Sequence, residues 1–522
     1  MERSAPRSPP PDSSSSSIPD AVAQFIKQFR RAFLDTNLAE IHNLYQYTFT
    51  KLSERFYATS PWPSGEAVAA AGLVEDAAES FVMFYKELVF RHVYGKLQPT
   101  LAQRLDAWDN YCDLFNFFLD GGMIGSDLPV AWLWDITDEF VYQFEEWSTY
   151  RAKLKHKSPE EIAYLRDNDH IWNVNTVLQF LHTLVNKSNI CPWLLNNAAP
   201  VGSDDPDSEE FDLSSVPVYR YLGYFSIISL LRIHCLLGDY RLALMVLQPL
   251  DFGAANPLFS HVSACHIALY YYMGFANLML RKYETAVAVF SSTLLQFGRI
   301  KQFHTRSYQF DQINKRNDQM LSLLAICLAL TLVSVDESIA SMLAEKLTPD
   351  RLAKLARGDA STFSEVFAKA CPKFISPAPP DYDVVADSHL DAPALQIKLF
   401  MSEIRQHLLL PQIRSYLRLY TAIEIPKLAS FMALSERDTR AHLMCLKQKS
   451  VANAAELAAS PVVGVEGRGR ADRANAEVHF YIDGNVVQIS EAQKETHHGE
   501  FFMAQIERLE RMCEGMEKLL PA

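Results

Sequence analysis

The strongest constraint on the fold is a spacing of aromatic and small residues that occurs twice in the middle of the chain. Tyr240 and Ala243 mark the first copy, and Tyr283, Ala286 and Phe290 mark the second. In paired helices a small alanine allows close approach, while the aromatic ring fills the space between neighbouring pairs. The two tyrosines lie 43 positions apart, whereas the standard repeat has about 34 residues. The spacing therefore predicts a lengthened, tetratricopeptide-like helical solenoid.

Composition and sequence punctuation divide the chain into further segments. Only 19 of the 522 residues are glycine, which disfavours a turn-rich β fold and suits long helices. The predicted fold class is therefore dominated by α-helices, with one small β-hairpin near the C-terminus. The predicted segments are a disordered Ser/Pro-rich tail at 1–19, an N-terminal helical region at 20–201, an acidic loop at 202–212, tetratricopeptide-like repeats at 213–370, a winged-helix module at 371–490 with an insertion at 451–476, and a C-terminal helix at 491–522.

A helix–turn–helix followed by a β-hairpin is predicted after residue 425. Pro426 suits the first turn of a short helix, Lys427–Ala433. Ser435, with Asp438 three residues later, resembles a capping box that opens a helix over Ser435–Lys449. A segment whose side chains alternate in hydrophobicity every second residue then leads into an Asp-Gly turn and a return strand. This pattern is typical of a hairpin. Together these elements predict a winged helix.

Two sets of residues in this module are candidate contacts. The hairpin offers an edge that can pair with a strand of another protein. The candidate partner-docking residues are Phe480, Ile482, Val486, Val487 and Ile489. The candidate positions for RNA or ribosome contact are the basic residues Arg437, Arg440, Lys447 and Lys449. The sequence leaves two interpretations of these cations open, namely solvated surface with protein contacts, or contacts to RNA phosphates.

Several classes of function are disfavoured by the sequence. A net charge of −13 argues against a generic polybasic coat for nucleic acid, although not against a local basic patch. The closest two of the eight cysteines are 30 positions apart, so neither a zinc site nor a disulfide framework is expected. The chain contains no GxxxxGK, HExxH or GxSxG motif. We therefore expect no enzymatic activity, no metal and no cofactor.

The chain is expected to be cytosolic or nuclear and to lack a membrane span. Its Ser/Pro-rich N-terminus has no apolar segment of the kind found in signal peptides. The longest apolar run, Leu321–Val335, is shorter than the roughly 20 residues that cross a bilayer. We expect this run to belong to a buried helix over Asp318–Val335.

Helical repeats that lead into a winged helix resemble the PCI domains found in subunits of the proteasome lid, the COP9 signalosome and translation initiation factor 3. Dispersed strings throughout the chain make it similar to one PCI family, subunit L of eukaryotic translation initiation factor 3. The matching strings are Trp132–Tyr150 (WLWDITDEFVYQFEEWSTY), Ile171–Val174 (IWNV), Val185–Ile190 (VNKSNI), Leu222–Phe225 (LGYF), Leu236–Tyr240 (LLGDY), Tyr272–Ala276 (YMGFA), Ile313–Met320 (INKRNDQM), Asp336–Ile339 (DESI), Ala370–Pro377 (ACPKFISP), Leu419–Thr421, Lys427–Ala429 and Phe480–Asp483 (FYID).

The resemblance implies a non-catalytic scaffold subunit of a cytoplasmic complex that binds the small ribosomal subunit and promotes loading of initiator tRNA and mRNA. It further implies contact with the K and E subunits of that complex, and leaves room for contact with the backbone of mRNA or ribosomal RNA. The tail Met1–Pro19 and the insertion Val451–Ala476 depart from the family pattern. Two other hypotheses stay open at this point, a PCI scaffold of another complex and a free-standing RNA-binding protein.

Overall fold

The structure is a computed structural model of the 522-residue chain. It describes residues 18–73, 79–155, 157–195, 216–250, 258–304, 310–331, 335–383, 388–459 and 478–490, together with Phe252, Val333 and seven positions between 502 and 513. The predicted acidic loop lies outside the described residues, as do nearly all of the N-terminal tail and most of the insertion and the C-terminal segment.

The N-terminal region is built from helices alone in its described part. These helices are α1 Asp20–Leu34, α2 Leu38–Asn43, α3 Phe49–Phe56, α4 Gly65–Ala70, α5 Glu79–Lys96, α6 Leu101–Leu119, α7 Val130–Ala152, α8 Pro159–Asp167, α9 Val174–Lys187 and α10 Ile190–Leu195. A π-helical turn, Leu44–Thr48, joins α2 to α3. Local sequence sets several boundaries. Thr100 and Gln103 form a reciprocal capping box at α6, and Ser158 caps α8 just before a proline.

Aromatic side chains hold this region together around Trp132 of α7. The indole ring lies 5.5 Å from the ring of Phe29, 5.6 Å from that of Phe84 and 5.2 Å from that of Tyr45, measured between centroids. Its Nε1–H donates to the buried Glu87 carboxylate at 3.0 Å. Aromatic pairs at these separations add to the stability gained from apolar burial, so α1, α5 and α7 form one packed layer.

The second region continues the helical stack. Its helices are α11 Pro217–Leu237, α12 Tyr240–Met245, α13 Ser263–Met279, α14 Tyr283–His304, α15 Phe310–Leu330, α16 Glu337–Lys346, α17 Pro349–Arg357 and α18 Ala360–Ala370. Helix α11 is buried nearly all round, because it packs against α7 and α9 of the first region and α12 and α13 of the second. This arrangement explains why its sequence is apolar on every face.

The two copies of the repeated spacing occupy equivalent places in this stack. Tyr240 and Tyr283 each stand at the start of a helix, and each is preceded two residues earlier by a left-handed residue. Gly238 has φ of 92°, and Arg281 has φ of 67°. A glycine adopts this conformation without steric cost, whereas an arginine in it is uncommon. The structure therefore carries the same helix-to-helix turn through both copies, although only one has the glycine.

The small residue Gly274 of α13 marks the closest approach of the two helices in the second copy. A β-carbon at this position would overlap the ring of Phe290 on α14. Ala286, one turn before Phe290, is fully buried. Close packing of this kind leaves no room for an added methyl group.

We predict that Gly274→Ala destabilises the chain by about 1–3 kcal/mol, because the methyl group must displace the Phe290 ring. The free energy of unfolding in urea measures this loss. Gly95→Ala is the matched control. Gly95 is also helical, and a β-carbon there meets nothing within 4 Å. The control should be neutral or stabilising by up to about 1 kcal/mol. Equal effects of the two changes would contradict the proposed close packing.

A non-helical strap after α18, residues 371–383, crosses from the second region to the first. The Ile375 N–H donates to the Leu236 carbonyl at 3.1 Å, at the C-terminal end of α11. Lys373 pairs with Glu146 of α7 at 2.9 Å, and the Tyr382 hydroxyl donates to the carbonyl of Leu165 on α8 at 3.4 Å. The strap therefore ties the two helical regions together before the chain enters the next helix.

The winged-helix module follows the strap. Helix α19, Asp391–His407, leads from the strap to this module, which comprises α20 Leu410–Leu419, β1 Ala422–Glu424, α21 Ile425–Met432, α22 Glu436–Ala459, β2 His479–Asp483 and β3 Val486–Ser490. The strands form one antiparallel sheet in the order β1-β3-β2. The registers pair Ile423 with Val487, and Val487 with Ile482. The described residues thus confirm the predicted fold class, a helical solenoid followed by a winged helix.

The winged helix has a hydrophobic core of its own. The main core runs through both helical regions and includes Phe400 and Ile404 of α19. The second core begins at Leu410 and joins α20, α21, α22 and the sheet through residues such as Leu428, Leu443 and Val487. Helix α19 therefore belongs to the helical stack, and the winged-helix core starts with α20.

Two helix boundaries and one strand differ from the sequence-based predictions. The helix predicted at Asp318–Val335 spans Phe310–Leu330, because the polar string before Asp318 is helical and buries Arg316 against Tyr271 and Tyr272. The second helix of the module continues to Ala459, ten residues beyond its predicted end and into the predicted insertion. The sheet has a third strand, β1, that the sequence did not predict. Among the described residues, no helix is long and apolar enough to cross a membrane.

Candidate interaction surfaces

The five candidate docking residues of the hairpin do not share one environment. Phe480 and Val487 are buried in the winged-helix core. Ile482 and Ile489 are half-buried and pack against the same core, and Val486 is half-buried next to the turn. These side chains therefore mainly hold the hairpin on the module. What the hairpin offers to a partner is backbone together with the exposed side chains of His479, Tyr481 and Asp483.

The outer side of β2 is a sheet edge in the described structure. Strand β3 lies between β1 and β2, so its backbone groups have partners on both sides. The two-residue turn Gly484-Asn485 makes Asp483 and Val486 a hydrogen-bonded pair, and the pattern alternates from there. Ile482 and Phe480 then direct their N–H and C=O groups away from β3. This edge can accept a further strand.

The four basic candidate residues on α22 have different surroundings in the structure. Arg437 and Lys447 are exposed. Arg440 reaches across to the wing, where its Nη2 donates to the Gly484 carbonyl at 3.0 Å and to Asn485 Oδ1 at 2.7 Å. Arg440 therefore fixes the hairpin turn on the helix. At 100° per residue Lys449 lies on the other side of α22 from Lys447.

Lys449 faces the helical stack rather than solvent. Burial lowers the pKa of its ammonium group, with the Cys445 thiol and the Glu403 carboxylate acting in the opposite direction. Glu403 of α19 accepts a hydrogen bond from Arg281, the left-handed residue at the second repeat turn. In the described structure the Lys449 Nζ and Glu403 Oε2 atoms are buried without a hydrogen bond. Lys449 therefore belongs to the junction of winged helix and helical stack.

His407 is the second polar contact at this junction. Its Nε2 lies 3.0 Å from the carbonyl oxygen of Leu330, which ends α15, so the ring carries its proton on Nε2. The ring also packs edge-on against Tyr283 at 4.9 Å. Burial lowers the pKa of His407 to about 4, and the cations of Lys449 and Arg414 also lower it. Protonation would place a charge on the buried Nδ1, which has no hydrogen-bond partner in the described structure.

We predict that His407 makes the stability of the chain depend on acidity between pH 6.5 and about 4. A histidine with a lowered pKa in the folded state stabilises above its unfolded pKa, and this contribution is lost as the pH falls. His407→Gln keeps an N–H donor for Leu330 but does not titrate in this range. The unfolding free energy of the variant should therefore fall less steeply on acidification, by at most about 3 kcal/mol over the window. Parallel curves for variant and wild type would contradict the assignment.

A set of aromatic residues on the outside of α20 and α21 is absent from the sequence-based candidates. The ring of Phe431 stacks on Tyr416 at 5.6 Å and on Tyr420 at 6.4 Å, with interplanar angles of 29° and 25°. Phe431 is 42% exposed and the two tyrosines are half-buried. We call these three residues the aromatic shelf. The spacing of Tyr416 and Tyr420 by four residues was the signal available in the sequence.

The described part of the C-terminal segment is helical at its seven positions. Phe502, Met503, Ile506 and Leu509 are all about half exposed or more. Their spacing of three and four residues places them along one side of a helix. This apolar stripe is a candidate surface for another helix.

A groove lies where the strap meets α7, α11 and α19. It has a volume of about 370 Å³ and is lined by residues such as Arg151, Leu236, Ile375 and Leu395. Arg151 is paired with Asp169 at 3.1 Å. Within the described residues there is no group of three or more histidine, cysteine or carboxylate side chains placed to hold a metal ion.

Comparison with known proteins identifies the family. The sequence profile of a family described as RNA polymerase I-associated factor PAF67 matches residues 103–509. A protein of Nematostella vectensis named eukaryotic translation initiation factor 3 subunit L is 42% identical over 505 residues, which cover 96% of this chain and 94% of the relative. Proteins of the same name from Xenopus tropicalis and Homo sapiens are 39% and 38% identical, each over 96% of this chain and 91% of the relative. The chain therefore belongs to the family of subunit L of eukaryotic translation initiation factor 3.

Proposed function

We propose that this protein is a non-catalytic scaffold subunit of the eukaryotic translation initiation factor 3 complex. In this role it supports assembly of the pre-initiation complex on the small ribosomal subunit and the recruitment of mRNA. The observation that carries the proposal is the similarity to proteins named as subunit L over nearly the whole length of the chain. The fold is compatible with this role, because its distinctive features are extended surfaces and a sheet edge.

The proposed mechanism is assembly through two elements of the C-terminal part. The free edge of β2 pairs with a strand of a neighbouring PCI module, since its outward backbone groups need a partner. The apolar stripe of the C-terminal helix packs with helices of other subunits. The K and E subunits are the proposed neighbours. Arg437 and Lys447, the two exposed basic candidates of α22, are the proposed positions for contact with the small ribosomal subunit. We place the complex in the cytoplasm.

Affinity purification of the full chain from its own cytosol at moderate salt tests the proposal directly. We expect other subunits of initiation factor 3 to co-purify, with the K and E subunits retained longest as the salt is raised. A share of the material should sediment with the small ribosomal subunit. Recovery of a proteasome-like or signalosome-like set of subunits would reject the assignment while leaving the fold unchanged. Recovery of the chain alone with RNA would favour the free-standing RNA-binding protein.

Proline at Ile482 tests the proposed docking edge. The Ile482 N–H points outward from β2, so proline removes a donor for a partner strand and leaves the ladder to β3 intact. We expect a folded chain that loses at least about 90% of the co-purified neighbouring subunits. Tyr481→Pro is the matched control, because the Tyr481 N–H points toward β3 and its loss should unfold the hairpin.

Replacing Ile482 also removes its packing on the winged-helix core, so a second variant is needed that leaves this packing intact. Tyr481 is 55% exposed, so Tyr481→Lys keeps the core and places a charge on the edge, which opposes strand addition. Thermal melting establishes that both variants are folded. Normal recovery of the neighbouring subunits with the folded Ile482→Pro and Tyr481→Lys chains would exclude the β2 edge as the docking site.

A further inference from the structure

The winged-helix module is the basic end of an acidic chain. Residues 408–450 and 478–490 carry seven lysine and arginine side chains but only four aspartates and glutamates, whereas the whole chain has a net charge of −13. Two of these cations are already engaged within the fold, Arg440 at the wing turn and Lys449 at the junction with the stack. The basic side of α22 is therefore weaker as an anion-binding surface than its sequence suggests.

The aromatic shelf lies on α20 and α21 of the same module and combines aromatic rings with positive charge. The ammonium group of Lys427 lies 5.5 Å from the centroid of the Tyr420 ring. The Lys427 side chain is exposed. A cation beside exposed rings favours an occupant that brings both a flat π-system and negative charge.

We propose that the aromatic shelf, Tyr416, Tyr420 and Phe431 with Lys427, binds single-stranded RNA. A base stacks on the exposed part of the Phe431 ring, and Lys427 pairs with a neighbouring phosphate. Stacking of this kind tolerates any base, because every base offers a π-face. The site is distinct from the β2 edge and from Arg437 and Lys447, so RNA binding and subunit assembly are separable properties of the chain.

Single-stranded RNA is favoured over a protein helix by the chemistry of the shelf. The Phe431 ring lies within 30° of parallel to each tyrosine ring, and the Lys427 ammonium group lies beside the Tyr420 ring. A partner helix that presents aliphatic side chains would bind three aromatic rings no better than it binds a groove lined by leucine. The rings therefore give such a helix no particular advantage. Leu419 beside the shelf is 76% exposed and supplies the test of the protein alternative.

Binding of a short fluorescein-labelled oligouridylate to the purified full chain tests the proposal by anisotropy. Phe431→Leu keeps an apolar side chain but removes the ring, and we expect about a tenfold or greater loss of affinity. Phe431→Tyr keeps the ring and should bind within about twofold of wild type. Tyr481→Leu is the control for loss of an exposed aromatic residue elsewhere in the module and should also leave binding unchanged.

The dependence on salt tests the part assigned to Lys427. Loss of one phosphate contact to a single strand reduces the slope of log affinity against log salt by about 0.7. Lys427→Gln should show this reduction, and photo-crosslinks to RNA should map to the peptides that contain Tyr416, Tyr420 or Phe431. Unchanged binding by Phe431→Leu, or an unchanged slope for Lys427→Gln, would overturn the proposal.

The RNA proposal does not depend on the proposed scaffold function. Recovery of co-purified subunits distinguishes a failure of one proposal from a failure of the other. Phe431→Leu and Leu419→Ala should both retain the normal set of co-purified subunits. Loss of subunits from both folded variants, with oligouridylate binding unchanged, would show that the shelf docks a protein and would overturn the RNA proposal. Failure of wild type to recover initiation-factor subunits, with oligouridylate binding present, would reject the scaffold function alone.

Discussion

The buried ion pairs of Arg232 join the two halves of the helical stack. Arg232 lies on α11, and its Nε donates to Glu145 of α7 at 2.7 Å while its Nη1 contacts Asp138 Oδ1 at 2.5 Å. Burial is the largest influence on the pKa of Arg232 and opposes the charge. The Glu145 and Asp138 carboxylates and Tyr272 together more than offset burial and raise this pKa above its usual range. Removing one partner from such a pair typically costs about 3–5 kcal/mol, because a buried charge is left alone. Helices α7 and α11 are therefore held in one relative position, and the other helices are added around them.

Helix α19 connects the helical stack to the winged helix and fixes their relative position. Tyr240 donates to the Gln396 side chain at 2.8 Å, and Tyr283 packs on His407. Gln396 and His407 are eleven residues apart, which is close to three helical turns. The two copies of the repeat therefore contact the same helix at points one above the other. The position of the winged helix is set by where α19 ends, next to Leu330 and Lys449.

Local patterns predicted the fold class, whereas long-range pairings decided the details that were missed. The residue spacing within the Tyr240 and Tyr283 copies follows from the geometry of the helices themselves. The helical stack could therefore be predicted from the sequence. Strand β1 has three residues, and it exists because β3 pairs with it from more than sixty residues further along the chain. No local signal reports such a contact.

The surroundings of the candidate contact residues could not be predicted for the same reason. Arg437, Arg440, Lys447 and Lys449 look alike as a run of basic residues in the sequence. Arg440 is engaged because the wing turn comes back over α22, whereas the half-buried Lys449 faces the helical stack near Glu403. The alternation within the hairpin predicted an edge, but not that Phe480 and Val487 belong to the core.

The division of the apolar core between Leu408 and Leu410 has a consequence for how this sequence can change. Residues on one side of the division make few apolar contacts with residues on the other. The effects of core substitutions in the two parts on the free energy of unfolding should therefore be nearly additive. A substitution in the solenoid then needs no compensating change in the winged helix. The two parts can drift at different rates in evolution, while His407, Glu403 and Lys449 keep them joined.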